Sequence, residues 1–172
     1  MCPKCYEELT FAKFQPNRIV EGVNVYSCGI YEKTLQKLIR GLKYHKQKEL
    51  AEYLGQFMYE YWYALGDKRS FQVIPVPLHE NRIKKRKYNH MELTAYEFCK
   101  LSGYTPNYEL IKRIKDTKPQ YKLTRTERLK DLKKPVLILD DICTTGATFE
   151  EMIKTLKENG ITEIVCLASS SP

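Results

Sequence analysis

Two adjacent carboxylates, Asp140 and Asp141, directly follow the unbroken apolar run Pro135-Val-Leu-Ile-Leu139 and precede Ile142-Cys-Thr-Thr-Gly-Ala-Thr148. A carboxylate pair accepts hydrogen bonds from vicinal hydroxyls, which suits a sugar. Thr144, Thr145, Gly146, Ala147 and Thr148 are small or hydroxylated and lead into Phe149, Met152, Ile153 and Leu156, which repeat at helical spacing. The first amides of a helix have no internal partners and lie at the positive end of its dipole, so this turn is an anion pocket that a phosphate can approach closely. An apolar run, an acid pair, a hydroxylated turn and an amphipathic helix, in that order, point to a phosphorylated sugar rather than to a capped strand end.

A second group of chemically useful residues lies upstream. Phe71-Gln-Val-Ile-Pro-Val-Pro77 reads as a short buried strand closed by two prolines, and the loop after it carries Arg82, Lys84, Lys85, Arg86 and Lys87. The chain has a net charge of +8, and residues 78–134 hold 16 of its 29 Lys and Arg but 7 of its 21 Asp and Glu, a local net of +9. Such a concentration is either a solvated face or a site for phosphates or nucleic acid, and charge alone does not choose between them.

The elements that must hold these residues are legible in the periodicities. Val23 to Ser27 alternates as a strand. Leu35, Leu38, Ile39 and Leu42 follow a helical period with Thr34 as a cap, and Leu50, Leu54, Phe57, Met58 and Tyr61 continue it on a second helix ended by Gly66-Asp67. A helix is predicted from about Asn89 to Leu101, a strand over Tyr108 to Ile114, a mobile loop over 115–134, and a last strand over Ile161 to Leu167 after a helix ending at Gly160. Apolar strands alternating with helices imply an α/β fold with a mostly parallel central sheet flanked by helices, whose ligand crevice lies beyond the carboxyl ends of the strands. Residues 1–22 read as a short, irregular or hairpin segment containing cysteines, and residues 23–172 as the main domain.

Composition narrows the class. At 172 residues, 42% hydrophobic and 29% charged, the chain is long enough for one packed domain and too short for two. No apolar run approaches the roughly 20 residues of a membrane span, and Met1-Cys2-Pro3-Lys4 does not open a signal peptide, so no membrane insertion and a cytoplasmic location are expected. With that setting, the six cysteines point to metal ligation or burial rather than disulfides. Cys99, Cys143 and Cys166 read as core or loop residues, with Cys143 near a helix N-terminus. His45 and His79 have no visible partner, and Tyr59, Tyr61 and Tyr63 around Trp62 read as a helix–core or subunit surface.

Val136-Leu-Ile-Leu-Asp-Asp-Ile-Cys-Thr-Thr-Gly-Ala-Thr148 resembles the phosphoribosyl pyrophosphate (PRPP) signature of type I phosphoribosyltransferases. Pro75-Val-Pro-Leu-His79 with Arg82, Arg86 and Tyr88-Asn89, and then Thr117, Gln120, Leu123 and Glu127-Arg128, resemble the ComF/GntX branch of that superfamily, which is linked to competence and DNA uptake. The resemblance spans roughly Val23 to Ala168. It implies a type I phosphoribosyltransferase fold in which Asp140 and Asp141 hold the ribose hydroxyls, directly or through Mg²⁺. It also implies that Thr144 to Thr148 wrap the 5′-phosphate, Arg82 and Arg86 face the pyrophosphate, and loop 115–130 closes over the site. The expected ligand is PRPP with Mg²⁺. The expected partners are single-stranded DNA, met through the basic loops, and other competence proteins such as a DNA-uptake helicase. The alternative is a nucleobase-salvage phosphoribosyltransferase; neither the acceptor nor the oligomeric state can be read from the sequence.

Three departures from the branch stand out. Arg86-Lys-Tyr-Asn-His90 replaces the usual Arg-Gly-Phe-Asn-Gln, so Lys87 loses backbone freedom and His90 changes a hydrogen-bond partner. The return arm of the 115–134 loop is short, with Asp131 leading almost directly to Pro135. ComF-like proteins usually open with a zinc ribbon built from two Cys-x-x-Cys pairs, and here only Cys2-Pro-Lys-Cys5 remains. This half set leaves open both a Zn²⁺ site at Cys2 and Cys5 and a metal-free remnant.

Overall fold

The computed structural model describes residues 2–114, 121–123 and 134–172. Its frame is a six-stranded sheet whose long strands are β2 (Val23–Ile30), β7 (Val136–Ile142) and β8 (Ile164–Ser171). The shorter strands are β1 (Arg18–Val20), β3 (Gln72–Pro75) and β4 (Thr105–Pro106), and the order across the sheet is β1-β2-β8-β7-β3-β4. Every pairing is parallel except β1 with β2, a hairpin turned at Glu21-Gly22. The expected α/β architecture, a mostly parallel central sheet flanked by helices, is the one observed, and it is consistent with a phosphoribosyltransferase-like fold.

The side-chain alternation of β7 separates two cores. Leu137 and Leu139 face α2 (Lys33–Tyr44), α3 (Leu50–Leu65) and α5 (His90–Ser102), joining Leu38, Ile39, Phe57, Tyr61, Trp62 and Phe98. Val136 and Ile138 face α6 (Ala147–Lys157), joining Phe149, Met152, Ile153 and Leu156. Each such fully buried large apolar side chain contributes roughly 1.5–3 kcal/mol. Helices α3 and α5 approach closely because Gly55 has no side chain: a Cβ there would lie 2.7 Å from Glu97 Cβ and 2.9 Å from the Thr94 carbonyl oxygen.

Several boundaries differ from the sequence reading. Strand β2 runs on to Ile30, and β8 begins at Ile164 and ends at Ser171. The basic stretch after Pro77 is not loop but the short helix α4 (Glu80–Arg86), capped by His79 Nδ1, which accepts from the Asn81 amide. The segment Tyr108 to Ile114 is extended only over β5 (Ile111–Arg113), because the Asn107 side chain accepts from the amides of Glu109 and Leu110 and holds that part in a turn. Strand β5 pairs antiparallel with β6 (Tyr121–Leu123), a strand inside the stretch expected to be all loop. Thr34 does not cap α2; its hydroxyl donates to Glu8.

Residues 2–22 form α1 (Pro3–Glu7) and β1 and share the main core. Phe11 stacks on Phe57 and Phe14 on Tyr61, each with ring centroids 4.9 Å apart, and the Tyr61 hydroxyl donates to the Lys13 carbonyl. Tyr61 and Trp62 of the tyrosine cluster are therefore core, whereas Tyr63 is exposed. Among the described residues, no helix is long and apolar enough to cross a membrane.

Candidate functional site

Register places the site. Pro75 of β3, Leu139 of β7 and Leu167 of β8 lie side by side, so the segments leaving the carboxyl ends of β3 and β7 open onto one crevice. Asp140 and Asp141 occupy the end of β7, both buried, and Thr144 to Thr148 turn from it into α6. Arg82 and Arg86 enter from α4, so all the residues singled out around the acid pair meet in two adjoining hollows. The larger, about 290 Å³, is lined by both aspartates, Thr144, Thr148, Arg82 and Arg86; the smaller is formed by residues 140 and 142–149.

Gly146 is the N-cap of α6 with φ of 87°, a backbone shape that a side chain would strain. The Thr145 hydroxyl accepts from the Ala147 amide, tightening the turn. These are the features of an anion cradle at a helix N-terminus. Cys143, below the turn, is buried, and burial raises its thiol pKa rather than lowering it as a helix N-terminus would.

The two carboxyls are not equivalent. Asp141 Oδ2 accepts from Lys43 Nζ at 2.7 Å and from His90 Nε2. His90 Nδ1 lies 3.4 Å from Arg86 Nη1; a guanidinium only donates, so Nδ1 accepts and the ring proton is assigned to Nε2, facing Asp141. Burial by itself would raise the Asp141 carboxyl, but the hydrogen bond from His90 and the Lys43 charge carry it well below the usual carboxylate range. Asp140 goes the other way. Burial, and then the neighbouring Asp141 charge, push it up to about 8. Its Oδ1 accepts from the Asp141 amide.

This donor set does not fit direct Mg²⁺ coordination by the acid pair. The Lys43 ammonium and the His90 ring already occupy the same oxygen of Asp141. It does fit hydroxyl groups, which need an acceptor or donor but no net charge.

Lys43, His90 and Arg113 also line the larger hollow, and the motif reading assigned none of them to it. Lys43 did leave a signal. It continues the Leu35, Ile39 stripe of α2 at a spacing of four, and a lysine on a buried stripe calls for an acid. His90 was visible only as an exchange for the usual Gln, and Arg113 had no signal beyond its charge. Beside this hollow lies a second, of about 380 Å³, lined by Lys43, Lys46, Arg82, Lys85 and Arg86 with Tyr44 and Tyr88 and no acidic residue. The Arg86 guanidinium sits 5.3 Å from the Tyr44 ring centre. Thr117, Gln120, Glu127 and Arg128 of the family-like loop lie outside the described residues, as does the Leu123 side chain.

At the N-terminus, the sulfurs of Cys2 and Cys5 are 3.1 Å apart and solvent-accessible, with Cys2 the more readily ionised because the Cys5 side chain hydrogen-bonds to it. Cys28 is fully buried in the core, and among the described residues no three metal-ligating side chains come together. The described residues thus supply two of the four ligands that a structural zinc site takes.

No protein-family profile matches the chain. It is 29% identical to the protein named Competence protein F of Haemophilus influenzae, over 79% of this chain and 67% of that protein. It is 25% identical to the DNA utilization protein YhgH of Salmonella typhimurium, over 93% and 79%, and 24% identical to Competence protein ComFC of Streptococcus pneumoniae, over 95% and 77%. These likenesses cover most of the chain and support its placement in the ComF family.

Proposed function

We propose that this chain binds PRPP, as its magnesium complex, in the hollow at the end of β7, and that it serves DNA uptake by contacting single-stranded DNA through the adjoining basic hollow. The observation that carries the first part is the convergence of a carboxyl pair, a hydroxylated turn at a helix N-terminus and two arginines on one cavity. In this reading Asp140 and Asp141 meet the ribose hydroxyls, Thr144, Thr145, Gly146, Ala147 and Thr148 cradle the 5′-phosphate, and Arg82 and Arg86 face the pyrophosphate. Mg²⁺ brought with the ligand would neutralise charge on the leaving pyrophosphate, beside Arg82 and Arg86.

The chemistry available to such a complex is displacement at C1 of the ribose. The bond from C1 to the pyrophosphate oxygen breaks, pyrophosphate leaves with the electron pair, and an acceptor nucleophile bonds to C1. Positive charge grows on the sugar, next to the Asp141 carboxylate, while negative charge grows beside the arginines.

The hollow, whose lining holds no acidic residue, favours a polyanionic partner over a neutral base: Lys46, Lys85 and Arg86 with two phenols match phosphates and stacked bases. The names of the relatives, competence and DNA utilization proteins, support the same role.

Calorimetry with PRPP and Mg²⁺ on the wild type and on an Asp140→Ala/Asp141→Ala variant tests the ligand: the wild type binds and the variant does not. Equal binding by both, or binding by neither, rejects it. For DNA, the logarithm of the affinity should fall against that of salt with a slope of about −0.7 per phosphate contact. Neutralising Lys84, Lys85 and Lys46 should flatten that slope, and a salt-independent affinity rejects the DNA contact.

A further inference from the structure

The cation already present at the acid pair belongs to the protein. Lys43 Nζ is 2.7 Å from Asp141 Oδ2, and both side chains are largely buried. Lys43 is held there from α2, a different element from the strand that carries the acids, by the same buried stripe that anchors Leu35 and Ile39 in the core. The same Asp141 oxygen also accepts from His90, whose ring is 2% exposed and fixed on its far side by Arg86. Two donors therefore occupy that oxygen. A divalent ion coordinated there would need to sit about 2.1 Å from it, with an ammonium group as its neighbour. Arg86, which lines the same hollow and contacts His90, adds to the repulsion.

We propose that Lys43 is a built-in counter-ion, a positioning residue that replaces a protein-bound divalent cation at Asp140–Asp141, so that the pair recognises the vicinal hydroxyls of a sugar phosphate without metal. The identity of the sugar rests on the PRPP reading; the counter-ion role of Lys43 does not.

The first test uses Mn²⁺ alone, titrated into the intact protein and followed by electron paramagnetic resonance of the free ion. The wild type shows no saturable site that depends on Asp141. Lys43→Met gains one site with at least tenfold tighter Mn²⁺ binding, and Lys43→Met/Asp141→Asn loses it; a merely structural role for Lys43 would produce no such gain. Saturable Mn²⁺ binding by the wild type that Asp141→Asn abolishes overturns the proposal, whether or not the Lys43→Met protein folds. The second test is calorimetry of ribose 5-phosphate with the wild type, in Mg²⁺ and in EDTA. Equal affinity supports the proposal, and a tenfold or greater loss in EDTA overturns it. If ribose 5-phosphate binds in neither buffer, the sugar-phosphate reading fails, and the Mn²⁺ titration alone decides the role of Lys43.

Discussion

Arg18 of β1 lies directly over Gly146 in the turn before α6: a Cβ on Gly146 would meet Arg18 Nη1 and Val20 Cγ2, each at 3.2 Å. The edge hairpin and the turn before α6 are thus fitted to one another, and the N-terminal strand helps to shape the site. Gly146→Ala adds this crowding to a left-handed φ of 87°, which costs a non-glycine residue about 1–2 kcal/mol. Urea unfolding should show a loss of at least that size, and PRPP binding should weaken by more than the stability loss explains. An alanine variant as stable as the wild type would show that the turn is not held as described.

Lys87 offers the opposite experiment. It caps α4 with φ of 70°, the left-handed shape at a helix end that glycine adopts without strain. This is the position where the family pattern reads glycine. Lys87→Gly should stabilise the protein by about 1 kcal/mol, relieving strain that outweighs the extra freedom of glycine in the unfolded chain. For a chain of this size that is a rise of about 2–4 °C in Tm. An unchanged or lower Tm refutes it.

The raised Asp140 carboxyl makes stability depend on pH with a defined sign. Its folded-state value, about 8, lies above its ordinary value of 3.8, so between these limits the folded protein holds a proton that the unfolded chain releases. The contribution of Asp140 to stability therefore falls as pH rises from about 4 to 8. Asp140→Asn keeps an acceptor for the Asp141 amide and removes the titration. Its stability relative to wild type should grow from pH 5 to pH 8. Melting curves at both pH values with a constant difference would contradict the assignment.

Asp141 should behave as one half of a buried ion pair. Its lowered carboxyl supports the fold throughout the neutral range, and that support is lost as pH falls through its folded-state value, well below 3.8. Asp141→Asn leaves the largely buried Lys43 ammonium uncompensated, a change that typically costs about 3–5 kcal/mol. Adding Lys43→Met should restore a large part of that loss. A double-mutant cycle with no interaction energy would show the two side chains to be independent.

Much of this molecule is written in local pattern. The apolar run before Asp140, the period of Phe149, Met152, Ile153 and Leu156, and the run from Phe71 to Pro77 announce a parallel sheet with its crevice at the acid pair, because burial on both faces leaves a continuous apolar run and helices leave a 3.6-residue repeat. Short elements escaped that reading. Helix α4 and strand β6 are too brief and too polar to show a period, and β6 exists through its pairing with β5 rather than through its own three residues. The sequence by itself therefore determined the sheet, the flanking helices and the cluster of acids, threonines and arginines. Only the tertiary structure decided the charge state of the cluster: packing α2 against the sheet brings Lys43 onto Asp141, and α5 brings His90 to the same oxygen. Such contacts depend on how rigid elements dock in three dimensions, and no one-dimensional spacing encodes a distance across a core.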